Sequence, residues 1–245
     1  MKRTDYSTLA NEYQKHRTAD PVLVGRLANG LESSSRVLEV GCGTGNYMAA
    51  LHGAVACSCT GIDPSPQMLE KLKARGTPVQ AVDGRAERLP FGENTFDLVY
   101  SVDVIHHIED RGAAFREAAR VLKEGGRLCT ATESEALLRT REPLAEFFPE
   151  VVEIELSRYP SIENLRMELG YAGFEELREE TTEHPYEVTD VKAFREKAFS
   201  SLHHLPDDAF RQGLERLEAR LRKGPLQCTQ RYLLLWAKKP PELDE

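Results

Sequence analysis

The sequence predicts an α/β fold, a doubly wound sheet of parallel strands with helices on both faces. Three observations carry that prediction: short apolar runs recur between residues 36 and 133, helical segments separate them, and a glycine cluster directly follows the first run. The runs are Val37-Leu38-Glu39-Val40, then Val55 to Ile62, Val79 to Val82, Phe96 to Val102 and Arg127 to Ala131. Strands joined through crossover helices must lie parallel, which covers both faces of the sheet. In such a sheet ligands bind beyond the carboxyl ends of the strands, where the strand order reverses.

Each element has its own signal. Residues 4 to 30 read as helical, and Asp20-Pro21 sets a cap before a proline in the first turn, so one helix ends near Arg17 and the next begins at Pro21. Ala114, Phe115, Ala118, Val121 and Leu122 share one face of a crossover helix, with Gly125-Gly126 as its stop. From residue 134 the helical segments lengthen. Ser161-Ile162-Glu163-Asn164 and Asp207 are start signals, and Phe210, Leu214, Leu217 and Leu221 form an apolar stripe. The expected organisation is a single domain over 1–245: N-terminal helices at 1–30, a ligand-binding core at 36–133, insertions at 134–172 and 183–227, and a final strand at 228–239.

Composition excludes several classes. Forty acidic against 32 basic residues leave a net charge of −8, with 40% hydrophobic and 29% charged residues, the balance of a soluble globular protein. Phosphate contacts need clustered Lys and Arg, so a nucleic-acid partner is not expected. The five cysteines, Cys42, Cys57, Cys59, Cys129 and Cys228, are an odd number in a long chain and do not read as a disulfide framework. Cys57-Ser58-Cys59 has no second pair at ligand spacing, so no metal is expected. Thr4-Asp5-Tyr6 follows Met1-Lys2-Arg3 where a leader would be apolar, and no run approaches the ~18 apolar residues of a membrane span. The expectation is a cytoplasmic protein with no membrane partner.

The chemistry begins at Gly41-Cys42-Gly43-Thr44-Gly45, between the first strand and the next helix. Glycines let the backbone turn tightly and let a ligand approach closely. Asp63, 22 residues after Gly41, ends the second strand, where a carboxylate can accept from both hydroxyls of a ribose. Its charge opposes a 2′-phosphorylated ribose, leaving NAD and S-adenosylmethionine as candidates. The third glycine is Gly45 where the dinucleotide fingerprint would place one at position 46, which is Asn.

The stretch Val37 to Gly45, with Asp63-Pro64-Ser65-Pro66-Gln67-Met68-Leu69, Ala86-Glu87-Arg88-Leu89-Pro90-Phe91, Phe96-Asp97-Leu98-Val99, Val104-Ile105-His106-His107 and Arg120 to Leu128, resembles the class I S-adenosylmethionine-dependent methyltransferases, in the small-molecule group called type 11. The match runs over about residues 36 to 132, and Ala172-Gly173-Phe174 is similar to the family's approach to the sixth strand. The resemblance implies a mostly parallel, seven-stranded Rossmann-like sheet, with substrate-covering helical insertions after strands 5 and 6. It also implies S-adenosylmethionine as cofactor and transfer of its methyl group to O, N, S or C of a small metabolite. Gly41, Cys42, Gly43 and Gly45 would pass beneath the methionine part and the ribose, and Glu39 would orient the loop and the methionine ammonium. Asp63, followed by Pro64, would hold the ribose, and Met68 would pack on the adenine. The backbone at Gly84, Arg85 and Ala86 would meet the adenine edge. Many relatives carry Asp at position 85, so Asp83 or a backbone carbonyl must serve the adenine amino group here. Arg17, in a segment with Tyr6, Ala10 and Tyr13, would reach the cofactor carboxylate, and Ser101 would border the reactive end. His106 is the candidate catalytic residue, as general base or substrate ligand. Two other functions use the same pocket: a non-catalytic S-adenosylmethionine-binding sensor or assembly subunit, and an NAD-linked oxidoreductase. The expected partner is a small methyl acceptor, and the expected state a monomer or homodimer.

Overall fold

The computed structural model describes residues 18–241. They divide into two compact units, one holding residues 18–132, 160–182 and the chain from 233, the other holding 133–159 and 183–232. In chain order the helices are α1 (Pro21–Ala28), α2 (Asn46–Val55), α3 (Pro66–Ala74), α4 (Arg111–Val121), α5 (Glu135–Arg139), α6 (Leu144–Phe147), α7 (Glu150–Arg158), α8 (Ile162–Tyr171), α9 (Lys192–Arg195) and α10 (Asp207–Leu221). The strands are β1 (Arg36–Val40), β2 (Ser58–Asp63), β3 (Gln80–Asp83), β4 (Phe96–Val102), β5 (Leu122–Thr132), β6 (Glu175–Val188) and β7 (Leu226–Lys238).

They form one seven-stranded sheet in the order β3-β2-β1-β4-β5-β7-β6, to which β6 and β7 bring residues of both units. β1 to β5 pair in parallel, and β7 runs antiparallel to β5. The order reverses between β1 and β4, so the binding crevice of such a sheet falls at their carboxyl ends. The central strands are buried on both faces, as crossover helices require: Leu38, Ile62, Leu98, Val99 and Tyr100 are all nearly inaccessible.

Helix starts follow the sequence closely. Asp20 Oδ1 accepts from the N–H groups of Val22 (2.8 Å) and Leu23 (3.1 Å), satisfying donors that have no partner inside α1. Ser65 caps α3, Asp110 caps α4 and Ser161 caps α8 in the same way.

Three boundaries differ from expectation. Val55 closes α2 instead of opening β2, because Ala56 turns left-handed (φ 58°) and its N–H caps His52 O at 2.7 Å, so β2 starts at Ser58. Gly125-Gly126 does not stop α4, which ends at Val121 as Leu122 turns extended and pairs with Phe96. The register then slips, and Leu98 pairs next with Arg127. Gly125, at φ 69°, lies in this irregular stretch of β5, as bulges favour. Finally, α8 belongs to the first unit although residues 134–172 were expected as one insertion, and Arg111 grips Glu168 across α4 and α8 with two hydrogen bonds of 2.9 and 2.8 Å.

The second unit has its own core, in which Leu144, Phe147, Phe148, Phe194, Leu202 and Leu217 are buried together. Its longest helix, α10, packs so closely that a Cβ at Gly213 would lie 2.3 Å from the Phe148 ring. Arg141 binds Glu133 (3.1 Å) and Glu155 (3.4 Å), and Arg158 binds Glu155 (3.1 Å). Both carboxylates are almost fully buried. All five cysteines are free, and no metal-ligating cluster occurs among the described residues. No helix among them is long and apolar enough to cross a membrane.

Candidate active site at the carboxyl ends of β1, β2 and β4

β1 runs directly into the glycine turn. The N–H groups of Gly41 and Cys42 both donate to Ile62 O (2.8 and 3.1 Å), tying the turn to β2, and Gly45 N–H donates to Cys42 O at 2.8 Å. The three glycines play different parts. A Cβ at Gly41 (φ 69°) would lie 2.5 Å from a methyl of Val104, and one at Gly45 (φ 74°) would lie 2.2 Å from a methyl of Leu72. At Gly43 (φ 51°) no atom lies within 4 Å of that position. The outer glycines thus make room for the protein's own side chains, and the middle one borders open space. Cys42 is buried, and a Cβ at Gly61 would meet its sulfur at 2.6 Å. Burial, with Glu39 and Asp63 nearby, pushes its thiol well above the usual range, so it stays a neutral packing group.

Asp63 stands beside the turn. Its Oδ2 accepts from Gly43 N–H at 2.8 Å and its Oδ1 from Ser65 N–H at 2.9 Å, so backbone donors hold both oxygens in place. Burial raises its pKa against the lowering effect of those donors, and Asp83, its register partner on β3, raises it further.

Glu39 is buried within β1, where Tyr100 of β4 is its register partner and donates its hydroxyl to Glu39 Oε2 at 2.9 Å. Burial pushes the Glu39 pKa up to about 8, and the proximity of Asp63 adds to this, while Tyr100 and the Met48 N–H act the other way. Tyr100 was not among the residues singled out in the sequence. Only the β1–β4 register reveals it, since 61 residues separate it from Glu39.

The remaining candidates cluster around the same strand ends. Pro64 is exposed, and Met68 is buried on α3 with Leu69 and Leu72. Gly84 follows β3 and donates to Asp63 O at 3.3 Å, Arg85 is exposed, and Ala86 is half-buried. Ser101 is buried in β4 beside Thr130 of β5. His106 lies half-buried on the 3-10 turn Ile105–His107 after β4, its ring 3.9 Å from that of His107. Arg17, Tyr6, Ala10 and Tyr13 lie outside the described residues.

The strands and the glycine turn around this site fall within the stretch that matches known proteins. Residues 38–130 match the family described as a methyltransferase domain. The chain is 29% identical over 230 residues to the 27-O-demethylrifamycin SV methyltransferase of Amycolatopsis mediterranei, covering 86% of this chain and 79% of that protein. It spans about half the length of other curated relatives, such as the demethylmenaquinone methyltransferase of Staphylococcus aureus (36% identity; 51% of this chain and 54% of that one). A solved structure assigned as a methyltransferase from an antibiotic biosynthesis pathway of Anabaena variabilis shares the fold, with a TM-score of 0.71 and 22% identity over 90% of this chain and 98% of that one. The glycine turn, the ordered motifs after it and these matches agree: residues 38–130 match a methyltransferase domain, and the chain is similar to S-adenosylmethionine-dependent small-molecule methyltransferases of class I.

Proposed function

We propose that the chain methylates a hydroxyl oxygen of a small, partly apolar metabolite, with Asp63 and the glycine turn holding the nucleoside end of S-adenosylmethionine. The observation that carries this reading is the contact between Asp63 Oδ2 and the N–H of Gly43, the one glycine of the turn that faces open space. A carboxylate has about four acceptor sites. Backbone donors occupy two here, and the rest suit the two hydroxyls of a ribose. The choice of oxygen as acceptor atom is supported by the rifamycin enzyme, which carries O-demethyl in the name of its substrate and aligns along 86% of this chain.

S-adenosylmethionine supplies an electrophilic methyl group on a sulfonium sulfur. The task left to the protein is to hold the acceptor oxygen in line with that methyl and to keep water out. The adenine falls to Met68 and the backbone of Gly84, Arg85 and Ala86, and the ammonium to Glu39. Pro64 and Cys42 shape the pocket wall, and Ser101 the reactive end. A ring nitrogen of His106 would take the hydroxyl proton as the oxygen gains the methyl group and the sulfonium sulfur, losing it, leaves as a neutral thioether.

Isothermal titration tests the binding half of this reading. Asp63→Ala is expected to weaken S-adenosylmethionine binding by about 1.5–3 kcal/mol, the value of hydrogen bonds to a charged partner. Unchanged affinity in the folded variant overturns the assignment of the ribose ligand. His106→Ala is expected to lower kcat by roughly 10²–10⁴-fold with cofactor affinity intact. A variant that keeps full kcat excludes His106 as the base.

A further inference from the structure

A row of three residues crosses the sheet behind the glycine turn. Gly61, Glu39 and Tyr100 are register partners on β2, β1 and β4, so their side-chain positions share one face. At Gly61 that face is filled by Cys42 Sγ and Met48 Cε, each less than 3 Å from where a Cβ would stand. It is therefore the face covered by the glycine turn and the start of α2. Glu39 and Tyr100 are both nearly inaccessible, and the hydroxyl-to-carboxyl contact is 2.9 Å. A glutamate in such a place is expensive to ionise, because burial removes water from the charged form.

Resting on the reading that Glu39 receives the cofactor ammonium, we propose that Tyr100 is a positioning residue for the cationic end of S-adenosylmethionine. Its hydroxyl fixes the Glu39 carboxyl and stabilises the ionised form that a bound cation requires. Burial holds the tyrosine's own pKa far above its usual value, so the hydroxyl remains a donor throughout the working range. The other groups acting on Glu39 or Tyr100 are the Met48 N–H of α2, Asp63 at the end of β2, Cys42 of the turn and Cys59 of β2. Asp63 disfavours a charge on Glu39, and the two thiols are held neutral by burial. Among these groups the Tyr100 hydroxyl and the Met48 N–H are the stabilising donors. A cation arriving at Glu39 must expel its proton, so affinity rises with pH until Glu39 is ionised beforehand.

Titration calorimetry of the wild type, Tyr100→Phe, Glu39→Gln and Asp63→Ala with S-adenosylmethionine between pH 6 and 9 separates the possibilities. The ligand's own ammonium titrates near about 8 in every case, so comparison among variants isolates the protein's contribution. Tyr100→Phe is expected to bind three- to tenfold more weakly at pH 7 and to shift the rising limb of its affinity profile upward by about half a pH unit or more. Glu39→Gln, which keeps a polar partner for Tyr100 without titrating, is expected to lose that limb. A Tyr100→Phe profile that superimposes on wild type overturns the proposal, whatever happens to its melting temperature. A Glu39→Gln profile that keeps the limb overturns it too. If the wild type binds no cofactor, or Asp63→Ala binds as well as wild type, the failure lies in the underlying reading of the site.

Discussion

Glu39 and Asp63 are both carboxylates beside the glycine turn, yet their surroundings prepare them differently. Asp63 has a backbone N–H on each oxygen, whereas Glu39 relies on one phenol and one N–H in a buried setting. The raised Glu39 pKa has a consequence for stability. Folded protein keeps this proton up to about pH 8, whereas an unfolded chain releases it near 4.5. Unfolding therefore releases a proton between those values, and stability falls as pH rises through that window. Denaturant titrations of cofactor-free protein at pH 5, 6.5 and 8 are expected to show that decline, with a shallower slope in Glu39→Gln. Equal slopes would mean that Glu39 is already ionised in the folded state.

The glycine turn shows how one motif combines packing with ligand access. Replacing Gly41 or Gly45 by Ala drives a methyl into Val104 or Leu72 and also strains a left-handed backbone, a cost of about 1–2 kcal/mol from the backbone alone. Thermal unfolding of both variants is expected at clearly lower temperature than that of Gly43→Ala, which meets no neighbour and carries only the backbone strain. Gly43→Ala is expected instead to impair S-adenosylmethionine binding most per unit of lost stability. Similar melting temperatures in all three would contradict this division. The GxGxG spacing was plain in the sequence, but Val104 and Leu72 come from other elements, so which glycine faces a ligand was not. The same limit applied to Gly125-Gly126, whose helix-stop chemistry is equally suited to an irregular strand, and only pairing of Leu122 with Phe96 distinguishes the two.

At the scale of the whole molecule, the sheet unit and the second unit are stabilised by different means. The sheet unit rests on apolar strands buried on both faces, while the second unit adds the charged Glu133–Arg141–Glu155–Arg158 chain to its phenylalanine-rich core. Removing one partner of a buried ion pair leaves an uncompensated charge, at a cost of about 3–5 kcal/mol. Arg141→Met is therefore expected to destabilise the protein by that order at pH 7, measured by denaturant unfolding. A variant as stable as wild type would show that water reaches the carboxylates of Glu133 and Glu155. Phe194 and Leu202, both in the second insertion, are part of this core.

The parallel sheet, the glycine turn after its first strand and most helix starts were legible from the chain alone, because hydrophobic period, capping residues and glycine position act over a few neighbouring residues. The place of Asp63 at the end of β2 was legible too, since the apolar run before it stops there. What needed the tertiary structure were facts made by strand register and close packing between distant segments: the Tyr100 hydroxyl on Glu39, the side chains that fill Gly41 and Gly45, and the docking of α8 with the sheet unit through Arg111 and Glu168. These contacts join residues far apart in sequence, and local propensity carries no information about which of them the fold brings within hydrogen-bond distance.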